Sequence, residues 1–241
     1  MITEDMTPTE KLKELYVDSY WFANISSGWN KKYAKQLRQY QKSRKQVIDK
    51  HVYKTPNDNT VLVYFIKEKL EEGRKIYNTL LFYYIWELNR KDGRKDFLIV
   101  NAFNERGEYV ICKDFMQISA HANDRMKQRS GKDFLEIYES MICDYGMGAI
   151  WVEKYTYNNN PNEICGRFGN GLLFGEIIES KCKFIKTYID WQDEHSNQNM
   201  IHLKTKRLAE TQGESTANKY DTFVLRQPKR QRKASGYVRV R

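Results

Sequence analysis

The sequence predicts an α+β fold: an antiparallel sheet with N-terminal helices, a central helix pair carrying His and Arg, and a disordered-like basic C-terminal tail. Three observations predict it. A capping box, Thr7-Pro8-Thr9-Glu10, opens a helix near the N-terminus. Stretches rich in β-branched and aromatic residues recur between turns from Val61 to Cys112 and again from Glu163 to Ile189. Between those two sets lie two helical stretches, 119–129 and 132–144, the second with Phe134, Ile137, Tyr138, Met141 and Ile142 on one face. Helices, strands, helices and strands in that order describe helices packed on an antiparallel sheet.

Pro8 stands at the first helical position, and Leu12, Leu15, Tyr16, Ser19 and Tyr20 form the inward face of the first helix. Ser26-Ser27-Gly28 ends it. In residues 29–50, Trp29, Tyr33, Leu37, Tyr40, Arg44 and Val47 recur at helical spacing, which predicts a second helix with a basic outer face. Thr55 to Asn59 is a turn, and Val61–Ile66 and Asn78–Leu88 read as strands. Asp92-Gly93 and Arg106-Gly107 supply the positive φ of tight turns, so Phe97–Phe103 and Glu108–Cys112 are expected to continue a meander. After the central helices, Glu163–Phe168, Leu172–Ile178 and Cys182–Ile189 read as strands, residues 191–212 as a polar helix and 213–241 as a tail. The expected division is 1–54 for the N-terminal helices, 55–212 for the α+β domain and 213–241 for the tail.

Composition narrows the function classes. The longest apolar run, Leu80 to Trp86, is far shorter than the ~20 residues of a membrane span, so no membrane partner is expected. The first five residues show neither a basic nor an apolar leader region, and no secretory signal is expected. Cys112, Cys143, Cys165 and Cys182 are widely spaced and read as reduced thiols of a cytoplasmic protein. No metal and no cofactor are expected. His51, His195 and His202 are isolated, Asp190, Asp193 and Glu194 read as a solvated helix start, and the glycines from 166 to 175 lack a phosphate-loop pattern.

The net charge of +10 is unevenly placed. Residues 31–50 hold eight cations (Lys31, Lys32, Lys35, Arg38, Lys42, Arg44, Lys45, Lys50) against Asp49, a net of +7. Residues 219–241, with Lys229, Arg230, Arg232 and Lys233 at their centre, also net +7, so the rest of the chain is mildly acidic at −4. Two basic segments on an acidic body suit nucleic acid, RNA or DNA, whose phosphates release counterions on binding, or an acidic protein surface.

The sharpest local pattern runs from Ser119 to Arg129. With Ser119 as N-cap, His121, Arg125 and Arg129 fall on one helix face at four-residue steps. The helix N-terminus disfavours imidazolium and keeps His121 a neutral base. Such a base can take a 2′-hydroxyl proton while two guanidinium groups stabilise the phosphorane, which is metal-free RNA cleavage. The same face read structurally would pair with acids such as Asp124, Asp133 and Glu136.

The string S-x-H-A-x-x-R-M-x-x-R, followed by an amphipathic helix, resembles the RelE-like domains of the barnase–EndoU–colicin–RelE class of metal-independent ribonucleases and toxins. The resemblance covers about residues 108–190. It implies a His/Arg helix facing the sheet and a Thr or Ser on a late strand completing the site, which selects Thr187, with Lys186 beside it. Two functions follow as expectations: a nucleic-acid-binding protein with an RNA-cleaving site at His121, Arg125, Arg129 and Thr187, or a non-enzymatic nucleic-acid-binding or assembly protein, as in a phage virion.

Overall fold

The computed structural model describes residues 1–40, 45–72, 75–100, 102–105, 108–144, 153–154, 162–190 and 222–225. Helix α1 (Pro8–Ile25) begins at the capping box: the Glu10 N–H donates to Thr7 Oγ1 at 3.3 Å, and the Glu10 carboxylate accepts from the Thr7 N–H at 2.8 Å. A short 3₁₀ turn, Ser26–Gly28, leads to α2 (Trp29–Lys32) and α3 (Ala34–Arg38). The helix expected to run to residue 50 therefore ends at Arg38, where Gln39 turns extended (φ −69°, ψ 148°). Lys45–Lys54 is instead strand β1, paired antiparallel with β2 (Thr60–Glu72) and bulged at Ile48. Its Val47, Ile48, Val52 and Tyr53 favour a strand, and a helix here would forfeit a ladder along the whole segment. The expected division after residue 54 thus falls in the turn between two paired strands.

The strands β3 (Lys75–Asn89), β4 (Lys95–Ile99), β5 (Ala102–Glu105), β6 (Glu108–Cys112) and β7 (Phe115–Ile118) precede helices α4 (Ala120–Ser130) and α5 (Phe134–Asp144). After them come β8 (Glu153–Lys154), β9 (Glu163–Phe168), β10 (Gly171–Ile178), β11 (Cys182–Asp190) and β12 (Thr222–Leu225). The fold is mixed α+β on a mostly antiparallel sheet of nine strands, in the order β1-β2-β3-β4-β7-β11-β10-β9-β8. Only β7 and β11 pair in parallel among the described strands. The expected meander breaks after β4, because β7 takes the place beside it (Phe97 opposite Ile118). Strands β5 and β6 pair instead in a second sheet with β12, which lies inside the segment expected to be a tail. The polar helix expected over 191–212 lies outside the described residues.

Side chains alternate across the large sheet and feed two cores. On one face Val61, Val63, Phe65, Tyr84 and Trp86 pack under Leu12, Leu15 and Phe22 of α1 and Trp29 of α2. On the other, Tyr64, Ile66, Ile85, Leu173, Ile185 and Tyr188 pack under Ala122 and Met126 of α4 and Phe134, Tyr138 and Ile142 of α5. The helical layer of α1 and α2 and that of α4 and α5 therefore lie on opposite faces.

Candidate nucleic-acid interface

The α2–α3 segment is fastened by its aromatic side. Trp29 and Tyr33, four residues apart, are buried, with Trp29 in edge-to-face contact with Phe82 at 4.8 Å and with Phe65 at 4.9 Å between ring centroids. Each such aromatic pair adds about 0.5–1.5 kcal/mol beyond area burial. The far end is held through its carbonyls. Buried Lys67 donates to Gln36 O at 2.9 Å and to Gln39 O, and Asn78 Nδ2 donates to Leu37 O at 2.7 Å. A cation at a helix C-terminus satisfies carbonyls that have no partner within the helix. With that side committed to the sheet, Lys31, Lys32, Lys35 and Arg38 are exposed, the Lys32 ammonium lying over the Tyr33 ring at 4.9 Å from its centroid. Residues 29–40 contain no acidic residue, and none of these four forms an ion pair among the described residues.

Elsewhere many surface cations are matched. Lys50 pairs with Glu139 at 2.9 Å, Lys54 with Asp58 at 3.2 Å, Lys91 with Asp5 at 2.8 Å, Arg94 with Asp92 at 2.7 Å, Lys95 with Glu87 at 2.7 Å and Lys186 with Glu176 at 2.6 Å. Exposed pairs add little stability, but they cancel local field. Lys45, expected among the polyanion contacts, belongs with the matched group. It is buried, donates to Tyr83 Oη at 3.2 Å and lies 3.6 Å from Glu68. The strand that replaced the expected helix turns it inward. Lys42, Arg44, Lys229, Arg230, Arg232 and Lys233 lie outside the described residues.

At the root of this surface, Asp49 accepts from Tyr33 Oη at 2.7 Å and from His51 Nε2 at 2.8 Å. Burial pulls the Asp49 carboxyl upward, but the bonds from Tyr33, the Lys50 N–H and His51 outweigh it and hold it below the usual carboxylate range. The Tyr33 hydroxyl is pushed up by burial and by that carboxylate. With Nε2 donating to Asp49, the Lys32 ammonium at 3.4 Å from it is a neighbouring charge rather than a second hydrogen bond. His51, isolated in the sequence, thus sits at the edge of the basic surface.

The Ser119–Arg129 motif forms its helix with the expected cap: Ser119 Oγ accepts from the Ala122 N–H at 3.1 Å, and Gly131 (φ 72°) closes the C-terminus. The resemblance implies a His/Arg set facing the sheet, but Ala122 and Met126 take that side, and His121 is exposed. Arg125 donates to Gln128 Oε1 of its own helix at 2.9 Å. Arg129 donates to the Tyr188 carbonyl at 2.9 Å. Strand β7 stops beside Ile185, so β11 needs other partners for its later carbonyls. The Ser119 N–H supplies Ile185 O at 3.1 Å, Ser119 Oγ supplies Lys186 O at 3.3 Å and Arg129 supplies Tyr188 O.

Thr187 does not join them. Leu173 and Tyr188 are register partners and belong to the core beneath α4 and α5. The next pair, Phe174 with Thr187, therefore points to the opposite face of the sheet. The cause is a bulge: Phe174 pairs with Thr187 but Gly175 with Ile185, leaving Lys186 extra. Glycine is required at 175, because a Cβ there would stand 2.0 Å from the Phe184 carbonyl oxygen.

A buried polar cluster that the sequence reading missed sits below the start of α4. Asp96 is fully buried and accepts from Gln117 Nε2 at 2.6 Å and from the Ala120 N–H at 2.7 Å, with Arg90 Nη1 at 3.5 Å. Lys11 of α1 donates to Gln117 Oε1 at 3.3 Å, and burial pulls its ammonium pKa down. A carboxylate at a helix N-terminus is favourably placed against the helix dipole. The pairing of β4 with β7 (Leu98 opposite Gln117) and the approach of α1 bring these residues together, and no local signal carries that.

No helix among the described residues is long and apolar enough to cross a membrane. No family model, curated protein or solved structure matches this chain.

Proposed function

We propose that the protein binds nucleic acid through the α2–α3 surface and does not cleave it. The observation that carries this reading is the set of four exposed cations, Lys31, Lys32, Lys35 and Arg38, on a segment without acids, on a body where many other cations are paired. Such a surface neutralises phosphates and releases their counterions. Because the apolar side of the segment is fastened to the sheet, binding orders the four side chains but no additional backbone. The cations of 229–233 are a second, sequence-distant contact in the same reading.

RNA cleavage at the α4 motif draws less support from the geometry. A phosphate at His121 would need Arg125, Arg129 and Thr187 about it, but Arg129 holds a strand carbonyl and Thr187 lies across the sheet. The test is binding of labelled RNA and DNA strands by the full chain. Replacing Lys31, Lys32, Lys35 and Arg38 with Gln is expected to weaken binding, whereas replacing the paired Lys54, Lys91 and Lys95 with Gln leaves it nearly unchanged. Equal loss in both variants would reduce the effect to net charge and remove the assignment of a surface.

A further inference from the structure

We propose that the α2–α3 surface takes single-stranded rather than duplex nucleic acid, with Tyr40 as the platform on which a base stacks. The proposal rests on the nucleic-acid-binding reading above and adds the strand state and the residue that senses it.

Tyr40 is 89% exposed, the most exposed of the large apolar side chains that reach solvent among the described residues. Its place in the sequence makes this unexpected. Spacing puts it on the stripe of Trp29, Tyr33 and Leu37, and the first two of those are buried. The helix ends before the stripe is complete. Gln39 turns extended while its carbonyl is held by Lys67, so the next residue leaves the helix path and its ring is delivered to solvent beside Arg38. Ile76, 62% exposed, lies two residues along the same strand face from Asn78, whose side chain holds Leu37 O. A solvent-exposed aromatic ring therefore follows directly on a run of exposed cations in the chain.

In a duplex the faces of the bases are already stacked on each other, and an exposed ring gains nothing. A single strand offers free base faces, and surfaces that bind it combine cations along the backbone with aromatic platforms. Segment 29–38 is two short helices in tandem, about 15 Å long at helical rise, which spans a few nucleotides of one strand.

Anisotropy titrations of the full chain with a thymidine strand of about 12 nucleotides and with a duplex of the same length test this. Wild type is expected to prefer the single strand. Tyr40→Ala is expected to weaken that binding about tenfold without changing its salt dependence or the duplex affinity, and Tyr40→Phe to retain it. Unchanged single-strand affinity in Tyr40→Ala, or equal affinity for duplex and single strand in wild type, overturns the stacking role while leaving the basic-surface reading standing if the four-Gln variant still loses affinity. Binding of polyglutamate as tight as that of the strand, or no binding of either nucleic acid, overturns both.

Discussion

Asp96→Ala is expected to be among the costliest single substitutions in this protein. The carboxylate is fully buried and serves three groups at once: the Gln117 amide at 2.6 Å, the Ala120 N–H at 2.7 Å and the Arg90 guanidinium at 3.5 Å. Truncation leaves two buried donors without a partner and takes one carboxylate from Arg90, which keeps Asp92 at 3.7 Å and Glu4 at 3.8 Å. Hydrogen bonds to a charged group contribute about 1.5–3 kcal/mol each, and breaking a buried ion pair from one side costs about 3–5 kcal/mol. Because the three interactions share one group they do not add, and a total near 4 kcal/mol is expected, a large part of a typical domain's stability of about 5–15 kcal/mol. Asp96→Asn separates charge from shape. Its carbonyl still accepts from the Ala120 N–H, but its amide NH₂ meets the Gln117 NH₂. Gln117 cannot turn to accommodate this, since its Oε1 accepts from Lys11 at 3.3 Å. A loss of about 2 kcal/mol is therefore expected. Urea denaturation followed by circular dichroism measures both, with an unchanged slope showing that the same surface unfolds. Losses below about 1 kcal/mol in both variants would refute the idea that this cluster ties α1, the sheet and α4 together.

Further outcomes follow from other sites. Asp18 is fully buried against Asn59 and Trp86, and burial raises its carboxyl pKa despite the hydrogen bonds from Asn59, Thr55 and Trp86. A carboxyl raised in the folded state contributes stability that is fully present below its unfolded pKa of about 3.9 and lost as pH rises through the folded value. Melting temperatures should therefore show wild type losing ground to Asp18→Asn as pH rises from about 4 to 7, and a constant difference would contradict that direction. RNA incubated in EDTA is expected to stay intact with wild type and with His121→Ala alike; cleavage by wild type that His121→Ala abolishes would restore a catalytic role to α4. Arg129→Ala is expected to cost about 1 kcal/mol in denaturation, through the Tyr188 carbonyl, while leaving strand affinity unchanged.

Much of the architecture was legible because its signals are local. The Thr7–Glu10 box, the Ser119 cap and the turn-bounded strands 163–168, 172–178 and 182–189 state their own conformations in a few residues. What was not legible depends on distant partners. Val47 continues the helical spacing that starts at Trp29, yet pairing with β2 makes Lys45–Lys54 a strand. Lys67 looks like a surface charge on a strand, yet it is buried under carbonyls at the end of α3. Thr187 lies on the strand that the motif implies, but one bulged residue turns it to the face away from α4 and α5, and the sequence marks that bulge only through Gly175 opposite. The basic surface was foreseen in Lys31, Lys32, Lys35 and Arg38 and misjudged in Lys45. Its aromatic border was missed because Tyr40 was counted as core.

The central claim is that four cations on one fastened segment contact phosphates. The salt dependence of single-strand affinity tests it most directly, because each phosphate contact contributes about 0.7 to the slope of log K against log salt concentration. Replacing Lys31, Lys32, Lys35 and Arg38 with Gln is expected to flatten that slope by about 3 between roughly 50 and 200 mM salt. Parallel lines for wild type and the variant, whatever their offset, would mean that these side chains touch no phosphate and would contradict the account.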